Sequence, residues 1–202
     1  MKKCFVAFLA MVLAGALLSA QAFAGVVTDD VRKTVDQVVS IVSNPDFKKS
    51  KNEAKKRAAL KAAIGRIFNY GEMAKRSLGV HWKARSKAEQ KEFVDLFSTL
   101  LENSYASKIE SYTNEKIVYH GESVNGTHAE VKSRVITAKR DEYTLDYRLL
   151  REGNRWMVYD VVIEGVSLVS NYRSQFNKIL VNQGYGELVK KLRSKSNEIK
   201  EP

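Results

Sequence analysis

The side chains that most often do chemistry are few in this chain and poorly spaced for it. The three histidines, His81, His120 and His128, lie on different segments. They show no H-x-x-x-H spacing that would bring two ligands on one helix face to one metal ion. No G-x-S-x-G elbow, Walker loop or dinucleotide fingerprint is present. Asp146, Asp160 and Tyr147 are the residues from which a carboxylate-and-phenol isomerase or hydrolase would have to be built, and nothing in their spacing pairs them. The chain therefore reads as a non-enzyme with no metal and no cofactor. A small enzyme on a cone of helices over a sheet is the alternative, as is an adaptor that only binds other proteins.

Thiol chemistry is excluded by position. Lys2 and Lys3 precede an apolar run over residues 5–20, and Ala22-Phe23-Ala24 follows in the small-x-small pattern of a signal-peptidase site. Residues 1–24 are expected to be a cleaved signal peptide, leaving residues 25–202 as a single domain. Gly15, Ser19 and Gln21 make the run a poor membrane anchor. Cys4 is the only cysteine and leaves with the leader, so disulfides, a thiol nucleophile and thiolate ligands are not available to the mature chain. Setting Lys2 and Lys3 aside from 34 lysines and arginines leaves 32 against 23 acidic side chains, a net charge of about +9. An exported basic protein rarely meets nucleic acid. Anionic lipid headgroups and the acidic faces of partner proteins are the expected counterparts.

The elements that must position any site can be taken in order. Thr28 with Asp29 and Asp30 has the composition of a helix start, and Val31, Val35, Val38, Val39 and Val42 then share one helical face. Asn44-Pro45 ends that helix, and a lysine-rich stretch over residues 48–61 leads to Leu60, Ile64, Ile67 and Phe68. Residues 72–78 make a short helix closed by Gly79. Ser86 and Glu89 form a capping box that opens the longest helix, with Phe93, Leu96, Phe97, Leu100, Leu101, Tyr105 and Ile109 on a stripe expected to pack on a sheet.

That sheet is predicted from four runs, residues 117–122, 128–137, 143–150 and 156–166, whose short connections imply an antiparallel meander. Ala129, Val131, Ser133 and Val135 alternate with Glu130, Lys132 and Arg134; Tyr143, Leu145, Tyr147 and Leu149 alternate with Thr144, Asp146 and Arg148. One face is therefore wet and one covered. Helical spacing returns at Leu168, Val169, Tyr172, Phe176, Ile179 and Leu180, and again at Leu188 and Leu192 beyond Gln183-Gly184-Tyr185-Gly186. The class is α+β, with several helices gathered on one face of a four-stranded antiparallel sheet. Phe93, Phe97, Leu100 and Tyr105, Phe68, Met73 and Leu78, and Tyr147, Leu149, Trp156 and Val158 are enough to line one apolar interior. Periodicity alone does not distinguish a filled core from a ligand cavity.

Residues 156–176, W-M-V-Y-D-V-V-I-E-G-V-S-L-V-S-N-Y-R-S-Q-F, resemble the signature of the MlaC family, also called the toluene-tolerance auxiliary family. Leu78-Gly79 ahead of Trp82, Phe93 with Phe97, Tyr105, Asp146-Tyr147-Arg148, and Gly186-Glu187-Leu188 before Lys191-Leu192-Arg193 stand in the family's order. The resemblance implies a soluble periplasmic carrier whose curved sheet and helices enclose phospholipid acyl chains as cargo. It also implies partners: an outer-membrane lipoprotein–porin complex and an inner-membrane ABC transporter with an MCE ring, between which lipid is shuttled to maintain outer-membrane asymmetry. On that reading Val131, Val135, Leu145, Tyr147, Leu149, Trp156, Val158 and Val162 from the sheet, and Phe93, Phe97, Leu100 and Tyr105 from the long helix, line the cavity. Met73 and Leu78 border its mouth. Arg134, Arg148 and Arg173 are the candidates for headgroup phosphate or partner contact, since guanidinium forks suit phosphates and carboxylates.

Overall fold

The computed structural model describes residues 25–48, 52–112 and 114–198, within which the apolar faces of helices and sheet pack into buried clusters. The expected signal peptide over residues 1–24 lies outside the described residues. The elements run α1 (Val26–Ser43), α2 (Glu53–Ile64), α3 (Tyr70–Leu78), α4 (Lys87–Glu110), β1 (Lys116–Asn125), β2 (His128–Ile136), β3 (Glu142–Glu152), β4 (Arg155–Ile163), β5 (Val166–Ser167) and α5 (Leu168–Glu198). The class is α+β as expected, and the antiparallel sheet has five strands in the order β1-β2-β3-β4-β5 rather than four. The run read as one strand over residues 156–166 folds back at Glu164-Gly165, where both residues have positive φ, 49° and 76°. That is the backbone of a two-residue hairpin turn, and glutamate at its first position hides the signal.

Helix ends follow the local chemistry. Asn69 caps α3, its Oδ1 accepting from the Glu72 amide at 2.7 Å, so the helix starts two residues earlier than the sequence suggested. Ser86 and Glu89 form the expected box, the Glu89 amide donating to Ser86 Oγ at 3.2 Å and the Ser86 amide to Glu89 Oε2 at 2.7 Å. The first helix is capped differently from the reading based on Thr28. Gly25 is the N-cap, and the Thr28 amide and hydroxyl both donate to Glu122 Oε2 on β1, at 2.8 and 2.6 Å. The helix bends at Gly184 (φ 81°) in α5, and the arm beyond it returns to the start of α4. There Tyr185 Oη donates to Glu89 O at 2.9 Å and Arg193 pairs with Glu92.

The register of β4 organises the rest. Leu149 pairs with Val158 and Arg148 with Asp160, so Tyr159 is an extra residue and the strand reverses its faces there. Val158 and Val161 share the face of Tyr147 and Leu149; Asp160 and Val162 share the face of Arg148. Asp160, 3 % exposed, accepts from Ser167 Oγ at 2.6 Å, from the Val169 amide at 3.0 Å and from Arg148 Nη1 at 3.4 Å. It thereby caps α5 on the side of the sheet away from α1. The outer edge of β4 is closed by β5 at one end and by residues 67–69 at the other, where the Asn69 amide donates to Val158 O and the Val158 amide to Ile67 O.

Asp160→Ala leaves the Val169 amide and the Arg148 guanidinium without their acceptor. It is expected to cost roughly 2–4 kcal/mol, measured as a lowered urea midpoint, whereas Asp160→Asn should lose less. A midpoint that does not move in either variant would show that α5 does not depend on this cap.

Candidate functional site

The apolar side chains do not line one interior; they form two cores. In the helical core, Met73, Ala74 and Leu78 of α3 pack with Phe93, Phe97, Leu100 and Leu101 of α4 and with Leu168, Val169, Phe176, Leu188 and Leu192 of α5. Ring contacts bind it together: Phe93 and Phe97 meet the Phe176 ring edge-on, each at 5.6 Å between centroids, and Phe97 meets Tyr172 at 5.2 Å. The stripe on α4, expected to lie on the sheet, is thus used up by α3 and α5. In the second core, Ala129, Val131, Tyr147, Leu149, Val158 and Val161 of the sheet pack with Val27 and Val31 of α1 and with Ile67. Phe68 packs against both.

The sequence-selected residues divide accordingly. Val131, Tyr147, Leu149 and Val158 are buried together under α1, with Leu145 and Trp156 half-buried at the margin. Val135 is buried opposite Ile117 of β1. Phe93, Phe97 and Leu100 belong to the helical core, with Tyr105 half-buried at its rim. Met73 and Leu78 are 0 % and 1 % exposed within that core. Val162 lies on the opposite face from Val158, because the Tyr159 bulge breaks the alternation that placed them together.

The three arginines are already engaged. Arg148 lies between Glu130 at 3.5 Å and Asp160 at 3.4 Å, and Arg134 is held by Glu142 at 3.0 Å. Arg148 points away from the α1 side of the sheet and Arg134, by alternation from Val135, does the same. Arg173 donates from Nε to the Arg76 carbonyl at the end of α3, at 2.7 Å. The residues considered for an enzyme site also do not converge. Asp146 accepts the Ser133 amide at 3.1 Å, and Asp160 and Tyr147 occupy opposite faces. Burial drives the Tyr147 phenol far above its ordinary pKa, so its hydroxyl stays protonated. Among the described residues no cluster of histidine and carboxylate could hold a metal ion, and no helix is long and apolar enough to cross a membrane.

A groove absent from the sequence reading lies beside the sheet core. A groove of about 360 Å³ lies between the later turns of α1 and the start of β1, lined by Arg32, Val35, Asp36, Val39, Tyr112, Glu115 and residues 116–119. Val35 and Tyr119 line this groove and also pack against the sheet core, so the groove borders the apolar face beneath α1. Arg32 stands at its side, 5.1 Å from the Tyr119 ring centre and bound to Asp29 at 2.9 Å. The buried Tyr119 hydroxyl has no hydrogen-bond partner among the described residues. Desolvation first, then the nearby Asp36 carboxylate, push its pKa up to about 12. One signal for the groove was in the sequence: the valine stripe on α1 continues through Val39 and Val42, past the length that the sheet core covers.

A model of the family described as "MlaC protein" matches residues 32–194. The chain belongs to the MlaC family. Among curated MlaC-like relatives, the intermembrane phospholipid transport system binding protein MlaC of Haemophilus influenzae is 31% identical over 126 residues, covering 60% of this chain and 59% of that protein. The toluene tolerance protein ttg2D of Pseudomonas putida is 24% identical over 128 residues, 62% of this chain and 60% of that protein. The chain thus matches about three-fifths of the length of these relatives. A phospholipid-binding protein from Ralstonia solanacearum, solved in complex with a phospholipid, superposes with a TM-score of 0.78 at 25% identity, over 87% of this chain and 99% of that one. The two chains therefore share one fold over nearly the whole described body.

Tyr119→Phe should be neutral or stabilising by up to about 1 kcal/mol at pH 7, since it removes a buried hydroxyl without a partner. A tyrosine whose folded pKa is raised loses stability as pH climbs from its ordinary value of 10 toward 12. Thermal melts between pH 7 and pH 12 should fall less steeply in Tyr119→Phe than in the parent protein. Parallel slopes would place the Tyr119 phenol in water.

Proposed function

We propose that this protein is a soluble periplasmic phospholipid carrier that holds acyl chains against the α1 side of the sheet and takes them in through the groove between α1 and β1. The observation that carries the reading is that this groove borders the buried sheet face, through Val35 and Tyr119. Support comes also from the phospholipid held by the superposable Ralstonia protein and from the transport role in the name of the Haemophilus relative. Cleavage of residues 1–24 and export of residues 25–202 as a single domain complete the reading. The protein is read as a non-catalytic carrier whose only bound molecule is its cargo.

The physics of such a carrier is set by water. Burying a methylene is worth roughly 0.8 kcal/mol, so two acyl chains of about 30 methylenes would cost on the order of 24 kcal/mol to expose. Lipid would not leave into solution on a useful timescale, and exchange takes place while docked. The partners proposed are an outer-membrane lipoprotein–porin complex and an inner-membrane MCE and ABC transporter complex, exchange between which maintains lipid asymmetry. A groove of 360 Å³ is near the lower end of the roughly 300–1,000 Å³ range for small-molecule sites. Housing a diacyl lipid therefore calls for α1 to move off the sheet, with Val131, Leu149 and Val158 becoming chamber wall. Arg32 and Lys116 are the cations lining the groove, and they are proposed to meet a phosphate at the mouth, a role expected of Arg134, Arg148 and Arg173.

Natively purified protein is expected to yield near-stoichiometric diacyl phospholipid on extraction and mass spectrometry. Protein that is repeatedly lipid-free and cannot be loaded from vesicles would rule the carrier out in favour of an adaptor. Val35→Trp or Leu149→Trp should reduce lipid per folded molecule severalfold. Phe97→Leu should instead lower the melting temperature, at a cost of roughly 1–2 kcal/mol, with lipid per folded molecule retained. The opposite pattern would move the cargo to the helical core.

A further inference from the structure

The carboxylate of Glu122 is only half used. Its Oε2 takes both bonds from Thr28, at 2.8 and 2.6 Å, and neither bond reaches Oε1. Oε1 lies against Gly25. A β-carbon on residue 25 would overlap Oε1, Cδ and Oε2 of Glu122 together, so any larger residue there would have to push the carboxylate aside. Gly25 is at once the N-cap of α1, the acceptor through its carbonyl of the Asp29 amide at 3.0 Å, and the residue directly after the small-x-small sequence Ala22-Phe23-Ala24.

We infer that the α-amino group released by cleavage between Ala24 and Gly25 pairs with Glu122, so that processing of the chain locks the first turn of α1 onto β1. This rests on the reading of residues 1–24 as a cleaved leader. In the uncleaved chain the same nitrogen is an uncharged amide joined to Ala24. After cleavage it is an ammonium with three donors, attached to the residue that touches the free carboxylate oxygen. The pairing has a consequence for the site. α1 is held at Gly25 and Thr28, while the groove is lined by its later turns at Arg32, Val35 and Val39; the helix is fixed at one end and opens at the other. The Thr28 bonds form with or without residues 1–24; the ammonium contact belongs to the processed chain alone.

Other charges near the pair have their own partners or face elsewhere. On α1, Asp29 is bound by Arg32 at 2.9 Å and Asp30 lies 3.8 Å from Lys33. On β2, Glu130 and Lys132 flank Val131, the residue opposite Glu122, and so take the other face of the sheet. His120 sits exposed in the bulge of β1 and must be held constant in any pH series. An α-amine titrates near 7.7–8.0 when free, and a carboxylate partner raises that value. The stabilisation is therefore complete below about pH 7.5 and is lost as pH rises through the higher folded value.

The test uses residues 25–202 released from a fusion so that Gly25 is the first residue, the same protein acetylated on Nα, and both in a Glu122→Gln and a His120→Asn background. The free-amine protein is expected to melt higher than the acetylated one at pH 7, with the gap closing by pH 10, absent in Glu122→Gln and unchanged in His120→Asn. The Thr28 amide should exchange about tenfold more slowly with the amine free, the ratio equivalent to a shift of one pH unit in its titration. No gap at pH 7, a gap that persists at pH 10, or a gap retained in Glu122→Gln overturns the pairing. If Glu122→Gln fails to fold, the titration of the Val26 amide resonance decides, with a midpoint about one unit above that of a free α-amine expected and an unshifted midpoint fatal. Intact mass of the exported protein tests the underlying reading separately: a first residue other than Gly25 overturns the proposal at its first step and leaves lipid carriage untouched.

Discussion

One extra residue in β4 decides which core each half of the molecule joins. With Tyr159 bulged out of the ladder, the strand shows Val158 and Val161 to α1 and turns Asp160 and Val162 to the opposite side. Because Asp160 is then buried on that side, it can cap α5, and α5 can carry Phe176 to Phe93 and Phe97. A regular strand would bury Asp160 beneath α1 among valines and leucines, where an unpaired carboxylate is very costly. It would also leave the first amides of α5 without their acceptor. The separation between the sheet core under α1 and the helical core of α3, α4 and α5 follows from this offset.

Much of the fold could be read from the residues because it is encoded locally. The capping box at Ser86, the valine stripe of α1, and the alternation in β2 and β3 each fit within a dozen residues and carry a period that belongs to one kind of element. What could not be read was set by contacts between distant segments. The cap of α1 comes from Glu122 rather than Thr28, the face reversal in β4 depends on pairing with β3, and the two-residue strand β5 exists only because Ile163 and Val162 supply its ladder. The candidate lipid wall fared the same way. Every apolar residue named for it is apolar surface that folding covers, but periodicity cannot say whether Phe97 meets the sheet or Phe176.

Charge tells a similar story at the surface. Two residues of the lysine-rich α2 pair with acids of α4, Lys61 with Glu102 at 2.9 Å and Lys56 with Glu110 at 3.5 Å. Arg148 and Arg134, chosen because guanidinium suits phosphate, satisfy carboxylates of their own sheet instead. One cation beside the groove, Arg32, stood in plain view on α1 but gains its meaning only from the position of Tyr119. A net positive charge thus gives little guidance until neighbouring acids have been assigned.

The bond from Thr28 to Glu122 joins positions 94 residues apart, and that separation has a kinetic side. The meander from β1 to β5 can assemble through short hairpins, whereas docking of α1 must close a loop containing α2, α3 and α4. The first helix to be made is thus among the last to find its surface. Until it does, the apolar side of a nearly complete sheet faces solvent, open to aggregation with other chains or to capture by whatever amphiphile arrives first. For a molecule of this architecture, the order in which contacts form and the order in which an apolar ligand is met belong to the same competition.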